Sequence, residues 1–412
     1  MSSIDDLRKF LDASPSPTHV VASASSRLIE AGFTVGTFGS SGNVNFTHQK
    51  GALTRGGSLF AWNWGPDSSR ADVLIVGAHT DSPTFRLKPT QGTSAAGLGV
   101  LDVEVYGGVL LNSWLDRDLG VAGVVHTADG DSCLVNLGPG FARIPQLAVH
   151  LDRDVNEKGL VLNRQTHTRP VWTSTSQEFI NLLKGHANGA EIVATDLVLY
   201  DSAPSALIGA DNSLLASGRL DNQVSCWAAI DALVNGDPQR PFVVALFDHE
   251  EVGSESATGA AGPMLELVLK SLVESRSQIS WIDVVQHALC ISADNAHALH
   301  PNYVDRHDPN HAPIVNRGPV LKTNANQRYA TSARGVAVVR AAANEAGVSL
   351  QNFVSNNVMP CGSTIGPITA TRLGIETVDI GVPQLSMHSA RELCGTSDPI
   401  SLRSLLVALA SY

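Results

Sequence analysis

The chain has 412 residues, more than one hydrophobic core usually serves, so its length predicts two or three domains. With 43% hydrophobic and 16% charged residues, the composition is that of a folded globular protein and excludes a disordered chain. A formal net charge of -11 makes nucleic acid and anionic membrane surfaces poor partners, because both select basic surfaces.

The hydropathy and the cysteine content indicate a cellular compartment. No apolar stretch reaches the roughly 20 residues that span a bilayer, and Asp5 and Asp6 stand where a secretory signal would be basic and then apolar. The five cysteines are odd in number and form no CxxC pair, which argues against a disulfide framework and a cysteine-zinc site. We therefore expect a cytoplasmic protein with reduced thiols and no membrane partner.

The first part of the chain predicts helices and then a buried strand. Apolar residues up to about Glu30 recur at helical intervals, which the turn SPSPTH interrupts. The run from Val73 to Val76 is continuously apolar, as expected of a strand that is covered on both faces of a sheet. His79 and Asp81 are expected just past the end of this strand.

The middle of the chain has a different pattern. From about Pro89 to Ser202, short alternating segments such as LDVEVYGGVLL, AGVVHT and SCLVNL predict antiparallel β structure. After about Ser205, predicted helices around CWAAIDALVN, MLELVLKSLVES and GVAVVRAAANEAG alternate with predicted strands at PFVVALF, ALCISAD and IETVDIG. These patterns predict an α/β domain formed by residues 1–88 and 206–412, interrupted by a β-rich insertion at residues 89–205.

Five side chains with metal-ligating chemistry occur near predicted strand ends or a predicted helix start: His79, Asp221, Glu251, Asp294 and His388. Ligands of open α/β sheets gather beyond the carboxyl ends of the strands. The segments VLIVGAHTD, FVVALFDHEE, ALCISAD and VDIGVPQLSMH are therefore expected to reach one crevice. Asp221, in SGRLDNQ, would enter from a loop that leads into the helix at Cys226.

The chemistry of this set predicts a site for two metal ions. Three carboxylates and two imidazoles suit ions of zinc type, because His nitrogen and carboxylate oxygen are standard zinc ligands. Magnesium would prefer an all-oxygen shell. If one carboxylate bridges, the ions can lie about 3.5 to 4 Å apart and share a hydroxide, a geometry that suits hydrolysis.

Two acidic residues beside these candidates predict a base and an orienting group. Adjacent Glu250 and Glu251 diverge on regular backbone, so one is expected to ligate while the other faces the water. Asp81 lies two residues after His79 on an extended chain and could accept the second imidazole proton. Alone, each motif has an ordinary explanation, such as a polar loop, a solvated pair or a helix N-cap, but their joint occurrence favours a metal site.

Seven motifs follow one another along the chain: GAHTDSP, GRLDNQ, FDHEEVGS, SADNAHALHPNY, GPVLKTNANQRYAT, PCGSTIGPI and QLSMHSARE. Together they closely resemble the M18 family of metallopeptidases, the aspartyl aminopeptidases, from His19 almost to the C-terminus. The resemblance implies an α/β fold of the zinc-exopeptidase type, with a central mixed sheet flanked by helices. The β-rich insertion falls where that family carries its dimerisation domain.

The resemblance implies how the five candidate ligands divide between two zinc ions: His79 and Asp294 at one, Glu251 and His388 at the other, with Asp221 as the bridge. Glu250 would be the general base, and Asp81 would orient a ligand. The implied reaction is hydrolysis of the peptide bond after an N-terminal residue, preferably Asp or Glu, in peptides with a free N-terminus. Whether one site takes Mn²⁺ or Co²⁺ stays open.

The resemblance implies roles for three further residues. His297, in the DNAHA motif, would contact substrate, and Lys322, in GPVLKTNANQRY, would face an acidic side chain. His150, in PQLAVHLDRD of the insertion, resembles a histidine that the family inserts into a neighbouring subunit's active site. The family forms large closed oligomers, which implies a homododecamer built from dimers.

Other functions remain open at this stage. A related dizinc deacylase or carboxypeptidase would use similar ligands on a similar sheet, and a member of the same family could have a broader or neutral side-chain preference. A metal-stabilised assembly without catalysis would be favoured if Glu250 were absent, so its presence argues for an enzyme. The native metals and the physiological peptides are not determined by the sequence.

Overall fold

The computed structural model describes residues 3–39, 45–67, 69–89, 92–175 and 177–411. Its α-helices are α1 Ser3–Asp12, α2 Pro17–Glu30, α3 Val155–Lys158, α4 Phe179–His186, α5 Leu220–Asn235, α6 Met264–Glu274, α7 Trp281–His287, α8 Ala333–Glu345, α9 Ile365–Leu373 and α10 Asp398–Ser411. Short 3-10 helices lie at Leu111–Trp114, Glu250–Val252 and Val304–Arg306.

The strands of the first half are β1 Thr34–Thr37, β2 Lys50–Arg55, β3 Ser58–Asn63, β4 Leu74–His79, β5 Thr84–Leu87, β6 Thr93–Ala95, β7 Leu98–Val100, β8 Val103–Tyr106, β9 Leu119–Thr127, β10 Ser132–Asn136 and β11 Val171–Thr173. Those of the second half are β12 Ile192–Asp201, β13 Ala206–Ile208, β14 Leu214–Ser217, β15 Phe242–Phe247, β16 Leu289–Ala293, β17 Ala296–His297, β18 Val320–Thr323, β19 Gln351–Val354, β20 Glu376–Gly381, β21 Pro383–Leu385 and β22 Glu392–Gly395.

The central sheet is mixed and has the order β1-β2-β3-β15-β4-β16-β20-β18-β19. Its four middle strands, β15, β4, β16 and β20, run parallel to one another. Every residue of β4, β15 and β16 is buried, because helices cover both faces, and this explains their continuously apolar sequences. The carboxyl ends of the four parallel strands therefore meet at one edge of the sheet.

Helices cover the central sheet on two sides. Apolar residues of α1, α2, α5, α8 and α10 form one core with the sheet. Those of α6, α7 and α9 form a second core with it. No helix in the described ranges combines the length and the apolar character that a bilayer-spanning segment needs.

A second sheet, with the order β10-β9-β12-β5-β8, is entirely antiparallel and has an apolar core of its own. Two further sheets, of three and five strands, have the orders β11-β7-β6 and β13-β14-β22-β21-β17. The second sheet begins at Thr84, inside the segment 1–88 that the sequence assigned to the catalytic domain. The division of the chain at residues 88 and 205 stays a prediction.

The predicted fold class, an α/β architecture with a central mixed sheet and a β-rich part, is confirmed, and each predicted helix or strand segment contains an element of the predicted type. Two details differ. His79 is the last residue of β4 and not a loop residue, because the parallel ladder continues until it pairs with Phe247. Asp221 lies within the first turn of α5, although its φ of -81° and ψ of 107° are not helical.

Candidate metal centre

Four strands of the central sheet lead to the candidate ligands. His79 ends β4, Glu250 and Glu251 form the turn after β15, and Asp294 directly follows β16. His388 comes from the loop after β21, beyond the end of β20. Asp221 enters from the start of α5.

The five candidate ligands form two groups that share one carboxylate. His79 Nε2 lies 3.3 Å from Asp221 Oδ1 and 3.6 Å from Asp294 Oδ1. His388 Nε2 lies 3.4 Å from Glu251 Oε2 and 3.9 Å from Asp221 Oδ2. Within each group the ligand atoms lie within 4.8 Å of one another. Asp221 thus presents one oxygen to each group, as a bridging ligand does.

Unpaired buried oxygens show that this cluster fits a cation. Among the described residues, Asp221 Oδ1 and Glu251 Oε1 are buried without a hydrogen-bond partner. Burial and the neighbouring Asp221 raise the pKa of Glu251 well above its ordinary value, and burial, chiefly, raises the pKa of Glu250 to about 8. Crowded buried carboxylates are unfavourable unless a positive charge offsets them, and the mixed oxygen and imidazole donors suit zinc.

Asp81 holds the turn that carries Glu250 and Glu251. Its Oδ1 accepts a hydrogen bond from Glu250 N at 3.1 Å, and its Oδ2 accepts one from Glu251 N at 3.1 Å. His79 Nδ1 lies 3.0 Å from the main-chain oxygen of Asp81 and 3.4 Å from its Oδ1. The shorter contact of the imidazole is thus with the main chain, while the carboxylate orients the turn.

Glu392 is a functional candidate that the sequence analysis missed. It is 2% exposed, and its Oε2 accepts a hydrogen bond from Asp221 N at 2.9 Å while its Oε1 accepts one from His388 N at 2.8 Å. One glutamate therefore fixes the backbone of two candidate ligands. Its only signal in the sequence is its place at the end of the motif QLSMHSARE, since no spacing rule marks it.

Lys322 lies against the same cluster. It is 1% exposed, and its Nζ donates to the main-chain oxygen of Asn295 at 3.1 Å and lies 3.6 Å from Asp294 Oδ2. Burial would raise the pKa of Asp294, but the positive charge of Lys322 and the contact with His79 hold it well below its ordinary value. The ammonium also lies 5.0 Å from the centre of the Tyr329 ring. Lys322 is thus a buried cation and not a solvated surface lysine.

The two predicted histidines outside the ligand set lie in different surroundings. His297 is exposed and lines a cavity of about 260 Å³ together with Phe353 and Met387. His150 is exposed in a turn of the segment 146–154, and none of the contacts between described residues joins it to the five candidate ligands. Within one subunit, His297 therefore lies near Met387, the neighbour of the candidate ligand His388, whereas His150 does not.

A larger cavity, of about 790 Å³, lies beside the cluster. Its lining includes Asp81, Tyr106 and Glu392, but none of the five candidate ligands. Choosing the site by cavity size would therefore miss the five candidate ligands. Their chemistry and spacing identify the site instead. Carboxylates and imidazoles gathered beyond the carboxyl ends of parallel strands at these separations are typical of a metal-dependent hydrolase.

Comparison with known proteins gives the family. Residues 10–409 match the family described as Aminopeptidase I zinc metalloprotease (M18). The chain belongs to this M18 family and is a metalloaminopeptidase. It is 47% identical to a probable M18 family aminopeptidase 2 of Streptomyces coelicolor, over 98% of this chain and 96% of that protein.

Solved structures agree with this assignment. The fold matches Ape4 in a cryo-EM structure of the Ape4 and Nbr1 complex with a TM-score of 0.92 and 34% identity, over 98% of this chain and 84% of that chain. It matches the mApe1 dodecamer of S. cerevisiae with a TM-score of 0.84 and 27% identity, over 98% of this chain and 95% of that chain. The family and the enzyme class predicted from the sequence are confirmed, whereas the substrate preference and the number of ions stay predictions.

Proposed function

We propose that the protein is a two-zinc aminopeptidase that removes an N-terminal residue, preferably Asp or Glu, from peptides with a free N-terminus. The observation that carries the proposal is the position of Asp221, whose two oxygens face two separate groups of ligand atoms. Such an arrangement suits a pair of ions that share one carboxylate. Mn²⁺ or Co²⁺ in place of one zinc ion is compatible with the same donors.

The proposed roles follow from the cluster. His79 and Asp294 would hold one ion and Glu251 and His388 the other, with Asp221 available to both. When bound, the ions supply polarisation of the scissile carbonyl and a more acidic water. Glu250 accepts the proton of the attacking water and returns it to the leaving amine. The hydrogen bond from its main-chain nitrogen to Asp81 holds the turn that carries Glu250 close to the candidate ligands.

The role of Glu250 is tested by Glu250→Gln, which keeps the size of the side chain and removes the base. We expect kcat to fall by about 10²- to 10⁴-fold, the usual contribution of a general base, while bound zinc is retained. The measurement is steady-state hydrolysis of aspartyl and glutamyl substrates, with metal content determined on the same sample. The exposed Glu255, in the same loop, gives the matched control Glu255→Gln. Near-normal turnover by a folded Glu250→Gln variant would exclude the role.

A panel of peptides tests the reaction itself. An aminopeptidase needs a free N-terminal amine, so peptides with an acetylated N-terminus should resist cleavage while their free counterparts are cut. Release of acyl groups or of C-terminal residues would identify a different metal-dependent hydrolase instead. Aminoacyl substrates of Asp, Glu, Ala, Leu and Lys measure the side-chain preference.

We also propose a homododecamer built from dimers, in the cytoplasm. The described dodecamer of S. cerevisiae mApe1, a protein 27% identical, supports self-assembly. Around His150 the apolar side chains of Leu147, Val149 and Leu151 are 59%, 49% and 75% exposed, as expected of a surface that a neighbouring subunit covers. His150 would then enter the active site of that neighbour. All five cysteines are free, which suits a reducing compartment.

A further inference from the structure

The segment 106–110, which we call the strap, begins at the last residue of β8 in the second sheet and reaches the candidate metal centre. At its start, the Tyr106 hydroxyl donates a hydrogen bond to Asp81 Oδ2 at 2.7 Å. The same carboxylate accepts the main-chain N–H groups of Glu250 and Glu251. Tyr106 therefore fixes the Asp81 carboxylate, which in turn orders the backbone of Glu250 and Glu251. Burial and the charge of Asp81 raise the pKa of Tyr106, so the hydroxyl keeps its proton and stays a donor.

The next residue of the strap packs directly against a candidate ligand. Gly107 has a φ of +74°, and a Cβ atom added there would lie 3.1 Å from Glu251 Cβ and 3.3 Å from Glu251 O. Both the backbone conformation and the space favour glycine, which alone has no Cβ. The main chain of the strap is thus held against Glu251.

The strap also fixes the last ligand. His388 Nδ1 lies 3.1 Å from the main-chain oxygen of Gly108, and Leu110 N donates to the main-chain oxygen of His388 at 3.0 Å. A carbonyl oxygen only accepts, so Nδ1 must carry the proton in this contact. With Nδ1 turned to Gly108 O, Nε2 is the ring nitrogen that faces Glu251 and Asp221, the position a metal ligand needs.

These contacts are unevenly distributed between the two groups of ligands. The strap touches Glu251 and His388 directly, and with Asp221 these two form one group, although Glu251 also lies near His79 and Glu250. Toward the other group, the contacts of the described residues lead only through Asp81 to His79, and none joins the strap to Asp294. We propose that the strap is a positioning element for the metal site of Glu251 and His388, so that the second sheet controls the affinity of one of the two ions.

The inference rests on the two-zinc function proposed above and concerns how tightly each ion is held. Loss of a group that orients a metal ligand typically lowers metal affinity by about 10- to 100-fold. We expect Gly107→Ala, which disturbs Glu251 directly, to weaken one zinc site by about that factor and to leave the other site unchanged. Tyr106→Phe should weaken zinc binding too, but its effect passes through Asp81, which contacts both the turn of Glu251 and His79. The readout is zinc binding, measured by equilibrium dialysis over a range of buffered free zinc concentrations.

Matched controls separate positioning from general damage. Tyr200→Phe removes a hydrogen bond of the same length, 2.7 Å to Asn136 Oδ1, elsewhere in the second sheet. Gly138→Ala places a Cβ at a φ of +84°, with nothing within 4 Å, and so imposes similar backbone strain without touching a ligand. Both controls should keep two zinc sites of wild-type affinity. Thermal unfolding of all four variants shows whether each one is folded.

A double variant identifies the affected site. In His388→Ala the site that the strap supports is already damaged, so adding Gly107→Ala should cause no further loss of zinc affinity. Wild-type protein that binds only one zinc ion would overturn the two-zinc function itself. Wild-type protein that binds two ions, with unchanged or equally weakened sites in Gly107→Ala, would overturn the role of the strap and leave the function standing.

Discussion

Lys322 contacts a candidate metal ligand, and we propose that it also binds the substrate. Its ammonium already faces Asp294 at 3.6 Å and donates to the main chain of Asn295, so it offsets the charge of a candidate ligand. A substrate carboxylate that reached the same ammonium would form a charge-assisted hydrogen bond in a buried setting. The proposed preference for acidic residues depends on that second contact.

The specificity role is tested by Lys322→Ala. Because hydrogen bonds to charged groups contribute about 1.5 to 3 kcal/mol, we expect kcat/KM for N-terminal Asp to fall about 10- to 150-fold more than kcat/KM for N-terminal Ala. The ratio of the two substrates is the informative quantity, since loss of support for Asp294 lowers both. Lys158, whose side chain is 75% exposed, provides the control Lys158→Ala. An equal loss on both substrates would mean that Lys322 acts only through Asp294.

The sequence predicted some residues of the site and missed others. His79 and Asp294 were identifiable because each ends or follows a continuously apolar strand, and parallel strands deliver such residues to one edge. Glu392 and Tyr106 were not, because their contacts join segments far apart in the sequence: Glu392 with Asp221, and Tyr106 with Asp81. Neither a period nor a spacing encodes such a pairing.

At the level of elements, the strands of the central sheet were the most predictable. Their burial on both faces imposes apolar runs such as FVVALF in β15, whereas the short strands of the second sheet, such as β8, carry a weaker signal. The sequence also predicted helices before Glu30 and the turn between them. It gave no indication of how those helices attach to the sheet.

Asp6 of α1 links these two helices to α5, which packs on the sheet. Its Oδ2 accepts hydrogen bonds from Arg27 of α2 at 2.7 Å and from Trp227 Nε1 of α5 at 2.8 Å. Partial burial raises the pKa of Asp6, but these two hydrogen bonds and the charge of Arg27 outweigh it, so the pKa lies below its ordinary value. One carboxylate thereby joins three helices.

We expect Asp6→Asn to lower the free energy of unfolding by about 1 to 2 kcal/mol at pH 7, a value reduced for partial solvent exposure. Since the folded-state pKa is lowered, the ionised carboxylate stabilises the fold above the unfolded-state pKa, near 4, and that contribution is lost as the pH falls through the folded-state value. Urea unfolding from pH 7 down to pH 3 should show wild type and variant converging. A constant gap across this range would contradict the assignment, and the exposed Asp237 gives the control Asp237→Asn.

At the scale of the whole molecule, the exposed apolar segment around His150 has no counterpart to cover it within the described chain. Its Leu151 is 75% exposed, which is unfavourable for a surface that stays in water. A closed oligomer in which this segment meets a neighbouring subunit would bury it and would bring His150 to a second active site.

Light scattering together with hydrolysis assays tests this assembly. We expect a mass near twelve times that of one chain, and we expect His150→Ala to keep that mass while losing about tenfold or more in kcat/KM, because only the shared-site contact is removed. The exposed His186, at the end of α4, gives the control His186→Ala, which should keep both mass and activity. A monomer with full activity would exclude the shared-site role of His150.

The candidate ligands are spread over most of the chain, from His79 to His388 of 412 residues, and the strap lies between them in the sequence. With the proposed ligand set, a nascent polypeptide has no complete centre until the ribosome has made almost all of it. Premature termination before residue 388 would therefore yield fragments without peptidase activity.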